Sequence, residues 1–253
     1  MIVAIVQARM GSTRLPGKVL KDVSGYPLLW HVVDRLHMAK NLDKIVVATS
    51  TSPLDDSISD FCGKEGISCY RGSEDDVLDR YYGAAKHFVA DIIVRITADC
   101  PLIDPRVLDK VVEVYLSEGC DYASNTIKRT YPDGLDVEVF SFQSLENASL
   151  HALLASEREH VTPYIWKNPH LFKICQVTQE CDLSSLRWTV DQPQDLEFVR
   201  AVYRHLYQSK KIFLTKDILR LIEEHPEYQD INQGFKINDG YLRSLQKDHI
   251  VPR

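Results

Sequence analysis

The stretch QARMGSTRLPGK, residues 7 to 18, sets Arg9, Arg14 and Lys18 among Gly11, Ser12, Thr13, Pro16 and Gly17, directly after the apolar opening MIVAIV. Any one of these cations would be an ordinary surface charge. Three of them, with small residues that let the backbone approach a ligand and with exposed N–H groups and hydroxyls, form a cradle for phosphate oxygens. The loop is not a Walker A sequence: five residues rather than four separate Gly11 from Gly17, and Val19 stands where a serine or threonine would bind magnesium. Nor is it a GxGxxG turn, so neither a P-loop nor a dinucleotide-binding fold is supported.

Two aspartates follow expected strands, Asp99 in TADCPL and Asp191 in RWTVDQPQDL. Either one alone reads as a helix cap or turn residue, since Asp99 precedes Cys-Pro and Asp191 precedes Gln-Pro. Brought together on one sheet edge, they could instead hold a hard cation such as Mg2+ through oxygen while that cation contacts phosphate.

The elements that would bring them together are legible in the periodicity. Apolar runs of strand length occur at 2 to 6, 44 to 49, 67 to 71 and 91 to 97, and segments of helical period lie between them at 27 to 39, 52 to 66 and 75 to 88. Strands alternating with helices predict an α/β fold with a mostly parallel sheet, whose right-handed crossovers place the post-strand loops along one ligand-binding edge. A helix is expected over 105 to 119, then antiparallel strands through DYASNT and TYPDGLDVEVF in an inserted segment of about 121 to 166, then a strand ending at Asp191 and a further helix. No repeat or Gly/Ser linker appears, so residues 1 to 253 are read as one domain. Trp30, Tyr81, Tyr82 and Trp166 fit helical core stripes better than a base-stacking platform.

QARMGSTRLPGKVL, RGSEDDVLDRYYGAA, RITADCPLIDP, YPDGLDVEVF, REHVTPYIW and RWTVDQPQDLE occur in that order and cover most of residues 1 to about 200. Together they resemble the signature segments of sugar nucleotidyltransferases. The similarity is greatest to the cytidylyltransferases that make CMP-activated acidic sugars: CMP-Kdo synthetases, CMP-sialic acid synthetases and, above all, the spore coat polysaccharide biosynthesis protein F group. The resemblance implies a Rossmann-like, GT-A-like three-layer sandwich with a small inserted antiparallel subdomain that pairs subunits into a homodimer. It implies transfer of CMP from CTP to the hydroxyl of a nonulosonic or octulosonic-type sugar, with release of pyrophosphate.

By the same resemblance, Ala8, Arg9, Gly11, Ser12, Arg14 and Lys18 contact the nucleotide, and Arg71, Ser73 and Arg80 reach toward its base or ribose. Asp99 and Asp191 match the magnesium-binding aspartates, and with Arg14 and Lys18 they carry catalysis. Asp133, Asp136 and Glu138 in YPDGLDVEVF, with Arg158 and His160 in EREHVTPY, are candidates to hydrogen-bond the sugar's hydroxyls or carboxylate. The chain departs from the commoner Gln-Gly-Asp pattern at Thr97 and Ala98, which leaves the acceptor open. Three alternatives remain at this point: a GT-A-like glycosyltransferase that uses a nucleotide sugar, a nucleotidyltransferase acting on a sugar phosphate, and GTP in place of CTP.

The whole chain is consistent with this reading. Thirty basic against thirty-six acidic side chains give a net charge of -6, which argues against nucleic acid as a partner and makes the basic loop a local feature. No apolar run approaches the ~20 residues of a membrane span, and the opening lacks the cationic start of a signal peptide. The six cysteines show neither CxxC nor zinc spacing, so reduced thiols and a cytoplasmic location are expected.

Overall fold

The opening run forms β1 (Ile2–Gln7), and both of its faces are buried: Ala4 and Val6 enter one apolar cluster while Val3 and Ile5 enter another. That alternation is what a strand covered by helices on both sides requires. The computed structural model describes residues 1–207, 212–235 and 239–251.

In chain order, β1 is followed by the short hairpin strands β2 (Asp22–Val23) and β3 (Tyr26–Pro27), then α1 (Leu28–Leu36), β4 (Lys44–Ser50), α2 (Asp56–Glu65), β5 (Ser68–Gly72), α3 (Val77–His87), β6 (Ile92–Thr97) and α4 (Pro105–Glu118). The second half contains β7 (Tyr122–Ser124), β8 (Glu138–Ser141), α5 (Phe142–His151), α6 (Ala155–His160), α7 (Pro163–Trp166), β9 (Ile174–Gln176), α8 (Pro193–Leu206), α9 (Thr215–Glu224), α10 (Glu227–Asp230) and α11 (Asp239–Gln246). Among the described residues the main sheet has seven strands in the order β5-β4-β1-β6-β8-β7-β9. β5, β4, β1 and β6 run parallel, β8 is antiparallel to both β6 and β7, and β9 pairs parallel with β7. Helices α1, α4, α8 and α9 bury their apolar stripes on one face, and α3, α5 and α7 on the other.

Four expectations need correction. The antiparallel pairing foreseen within 121 to 166 exists, at β7–β8, but it extends the main sheet rather than forming a separate subdomain, and α5, α6 and α7 occupy the remainder. The separate antiparallel sheet is the β2–β3 hairpin. The strand expected to end at Asp191 is an extended segment with one bridge among the described residues, Arg187 to Asp133, in which the Asp133 amide donates to the Leu186 carbonyl (2.9 Å) and the Trp188 amide to the Asp133 carbonyl (2.6 Å); beyond it the Val190 amide donates to the Asp99 carbonyl (2.8 Å). Gly134 makes this close approach possible, since its φ is +109° and a Cβ there would lie 2.6 Å from the Thr189 nitrogen.

The fourth correction concerns the thiols. Cys120 and Cys175 are joined in a disulfide, while Cys62, Cys69, Cys100 and Cys181 are free. The β7–β9 register sets Ala123 opposite Cys175 and so draws the α4–β7 corner and β9 together, leaving the two Cα atoms 6.1 Å apart. With one pair of cysteines oxidised, the thiols give no ground for a cytoplasmic location. Among the described residues no helix is long and apolar enough to cross a membrane.

Candidate active site

Parallel strands β1 and β6 end side by side, Gln7 opposite Thr97, so the basic loop and the TADC turn leave the sheet at the same edge. The two turns are then stitched together, with Ala98 donating to the Gln7 carbonyl (3.0 Å). Between them opens a cleft of about 370 Å³, bordered by Ala8, Arg9, Gly11, Ser12, Arg14 and Lys18 on one side and by Thr97, Ala98, Asp99 and Asp191 on the other. The loop holds its shape through its own main chain: Ser12 and Gly17 both donate to the Met10 carbonyl (2.9 and 3.1 Å), and Gly17 adopts the left-handed φ of 66°.

Lys18 lies at the centre. Its ammonium donates to Asp99 Oδ2 (2.7 Å), Asp191 Oδ1 (2.8 Å) and the Val190 carbonyl (2.8 Å), which uses all three of its protons. Burial alone would lower its pKa, but the two carboxylates raise it above the ordinary lysine value. Burial likewise opposes ionisation of Asp99, yet the Lys18 ammonium outweighs it and holds that carboxyl at about 2. Arg14 joins the same cluster through Asp191 (3.2 Å).

The position of Asp191 depends on Asp195. Asp195 is fully buried at the first turn of α8 and accepts hydrogen bonds from the Asp191 and Gln192 amides (2.9 and 2.8 Å) and from the Arg187 guanidinium. A first-turn acid is what the sequence shows, but its pinning of Arg187 beneath the site is visible only in three dimensions.

The three oxygens around Lys18 Nζ mark a locus built for a cation. Among the described residues no three His, Cys, Asp or Glu side chains converge to hold a metal unaided. A hard-oxygen pair that leaves most of the coordination shell to water and phosphate suits Mg2+, which retains waters and is commonly held by one or two carboxylates plus substrate phosphates. The residues present therefore fit that ion.

Other candidates are sorted by their contacts. Arg80 borders the cleft but is almost fully buried, and its guanidinium donates to the Ser73 and Glu74 carbonyls (2.8 and 2.9 Å). Arg71 and Ser73 do not border it. Arg71 donates to the Ser50 and Ser52 carbonyls (both 2.9 Å) and pairs with Asp56, while Ser73 Oγ accepts from the Asp76 amide (3.1 Å). Arg158 is also structural, bound to Asp76 at the start of α3 and to the Ser149 and Ala152 carbonyls. These arginines satisfy carbonyls at loop and helix ends, an assignment no spacing rule reveals.

A second cavity of about 290 Å³ adjoins the cleft, and Arg95, Thr97, Asp136, His160 and Tyr241 border both. Of the expected sugar contacts, Asp136, Glu138 and His160 line it, whereas Asp133 lies in the cleft, paired with Arg187 (3.1 Å). Burial, together with the charge of Asp136, pushes the Asp133 carboxyl up to about 7. Arg95, Arg129 and Tyr241 were not foreseen in the site. Arg129 grips Asp136 with two hydrogen bonds (2.6 and 2.7 Å), and Trp166, expected in a core stripe, forms part of this wall. Tyr241 belongs to α11, which also brings Asp239 to Arg14 Nη1 (3.1 Å).

Comparison with known proteins places this geometry. Residues 3–225 match the family model described as Cytidylyltransferase. The chain is 37% identical to an uncharacterized protein of Methanocaldococcus jannaschii over 93% of its own length and 96% of that protein's. It is 33% identical to the spore coat polysaccharide biosynthesis protein SpsF of Bacillus subtilis, over 89% and 95% of the two chains. A solved cytidylyltransferase from Leptospira borgpetersenii superposes with a TM-score of 0.86 at 34% identity, covering 93% of this chain and 99% of that one.

Proposed function

The chain belongs to the cytidylyltransferase family, and from that premise we propose that it transfers CMP from CTP to a hydroxyl of an acidic sugar in surface polysaccharide or glycan biosynthesis. The observation that carries this reading is the meeting of Lys18, Asp99 and Asp191 at the base of a cationic loop, beside a second cavity of sugar size. The family assignment sets aside the glycosyltransferase alternative. The relative SpsF supports the pathway class through its name alone.

In this reading the acceptor oxygen attacks the α-phosphate, a new P–O bond forms, and the bond to pyrophosphate breaks in line with it. The hydroxyl proton passes to solvent. Gly11 and Ser12 orient the phosphates through main-chain and hydroxyl donors, and Arg9, Arg14 and Lys18 stabilise the charge that accumulates on the departing pyrophosphate. Asp99 and Asp191 are the residues that would hold Mg2+, which when bound supplies electrostatic stabilisation of the phosphates and lowers the pKa of an acceptor hydroxyl. The reading includes a homodimer, for which sedimentation velocity is the direct check.

Pyrophosphate release tests the assignment. Lys18→Ala and Asp99→Asn are each expected to lower kcat by ~10²–10³, the scale of a lost transition-state contact. Near-normal turnover in both would move the chemistry elsewhere.

A further inference from the structure

We propose that α11 is an autoinhibitory strap: Asp239 takes on Arg14 the place of a phosphate oxygen, and an incoming triphosphate displaces it and lifts the start of the helix from the cleft. This rests on the transfer reading above and adds to it a device that regulates the same site.

The starting observation is the origin of the carboxylates on the cradle's cations. Lys18 is paired with Asp99 (2.7 Å) and Asp191 (2.8 Å), and Arg14 with Asp191 (3.2 Å), both carboxylates belonging to the edge that the proposed transfer uses. A further contact, Arg14 Nη1 to Asp239 Oδ2 (3.1 Å), comes from a helix 225 residues along the chain. A carboxylate and a phosphate oxygen make the same kind of charge-assisted hydrogen bond to a guanidinium, so the two compete for this edge of Arg14.

The exchange leaves no charge stranded. On release Asp239 keeps Arg243, four residues on in the same helix (2.8 Å), and Arg14 keeps Asp191. Both members of the Arg14–Asp239 pair reach solvent, which makes it a weak contact for a polyanion to break.

The helix is also shallowly seated. None of its residues is buried, and Leu242 and Leu245 stand exposed. It rests on α6 and α7 through the Tyr241 ring against His160 and Trp166 (centroids 5.0 and 6.1 Å apart), and through the Ser244 hydroxyl, within hydrogen-bond distance of Glu159 (2.7 Å) and His160 Nε2 (3.0 Å). The chain beyond it is held more firmly, because Ser156 donates to the Asp248 carboxylate through both its amide (3.0 Å) and its hydroxyl (2.7 Å). An element with few buried apolar contacts opens at low free energy, and this one, anchored past its far end, opens from its start. Tyr241, two residues beyond Asp239, borders both the cleft and the second cavity, so the same movement opens the wall that the two share.

Hydrogen–deuterium exchange of the full chain, read by mass spectrometry on peptides spanning residues 239–246, tests this beside calorimetric titration with CTP and Mg2+. CTP is expected to raise exchange across α11 severalfold, whereas cytidine at the same concentration, which carries no phosphate, should leave it unchanged. Asp239→Asn should show the raised exchange without ligand, gain little more from CTP, and bind CTP up to about fivefold more tightly, the worth of one partly exposed ion pair. Unchanged or slowed exchange in α11 while CTP binds, an equal rise with cytidine, or weaker CTP binding by Asp239→Asn would overturn the strap and leave the transfer reading standing. CTP binding by neither protein would overturn the transfer reading, and the strap with it.

Discussion

Lys18 neutralises Asp99 and Asp191, the same two carboxylates that would hold Mg2+. Removing it takes from Asp99 the cation that neutralises it, while Asp191 keeps Arg14 and Arg187 (both 3.2 Å). Lys18→Ala should therefore melt at lower temperature than wild type, and added Mg2+ should restore more of that loss than it adds to wild type; equal Mg2+ effects on the two proteins in calorimetry would contradict the shared locus. His160 supports a pH prediction. Burial first, and then the nearby positive charges of Arg95 and Arg9, outweigh Glu159 and Glu138 and hold its pKa down to about 4, so the folded protein keeps it neutral. The unfolded chain protonates it near its usual value of about 6.5, hence stability falls as pH drops from about 6.5 toward 4. With a quarter of the side chain exposed, the effect is on the order of 2 kcal/mol, and His160→Gln should flatten the decline in Tm across that window.

At the scale of elements, α11 brings Asp239, Gly240 and Tyr241 to the border of the cleft. Asp239 at its start pairs with Arg14 (3.1 Å) and Arg243 (2.8 Å), so a carboxylate lies on a cation assigned to the triphosphate. Asp239→Asn should tighten CTP binding by up to about fivefold, in keeping with the loss of one partly exposed ion pair. Weaker binding would mean that Asp239 supports the site instead of competing for it. The positions of the central elements were legible in the sequence: the runs read at 2 to 6, 44 to 49 and 91 to 97 became β1, β4 and β6, and their loops carry Arg14, Lys18 and Asp99. Parallel strands buried on both faces announce themselves as continuous apolar runs. The second cavity was not legible in the same way. Arg95 sits within an ordinary strand run, and Tyr241 follows Gly240 in a C-terminal segment with no recognisable motif; packing against α6 and α7 brings it over the site. Arg71 and Arg158 misled for the converse reason, since conspicuous motif arginines turned out to serve backbone carbonyls.

Across the whole molecule, two long-range connections hold the site's far wall to the sheet. Residues 248–251 lie along α6, with Ser156 bonded to Asp248 and a bridge between Leu154 and Ile250, which seats α11. The Cys120–Cys175 disulfide closes a 55-residue separation that contains Arg129, Asp136, Glu138 and His160. Loop closure on that scale contributes roughly 4 kcal/mol by the chain-entropy estimate. Reductant should accordingly lower the Tm of wild type and have no effect on Cys120→Ser/Cys175→Ser, and insensitivity of wild type would show that the bond is not formed in solution. On the proposed reading, the cleft formed by Lys18, Asp99 and Asp191 performs cytidylyl transfer to an acidic sugar. Its most direct test is pyrophosphate release with Mg2+ and, in turn, CTP, GTP, ATP and UTP, against Kdo, N-acetylneuraminate and glucose 1-phosphate. Release is expected with CTP and an acidic sugar; release with another nucleotide, or only with glucose 1-phosphate, would contradict the proposed transfer.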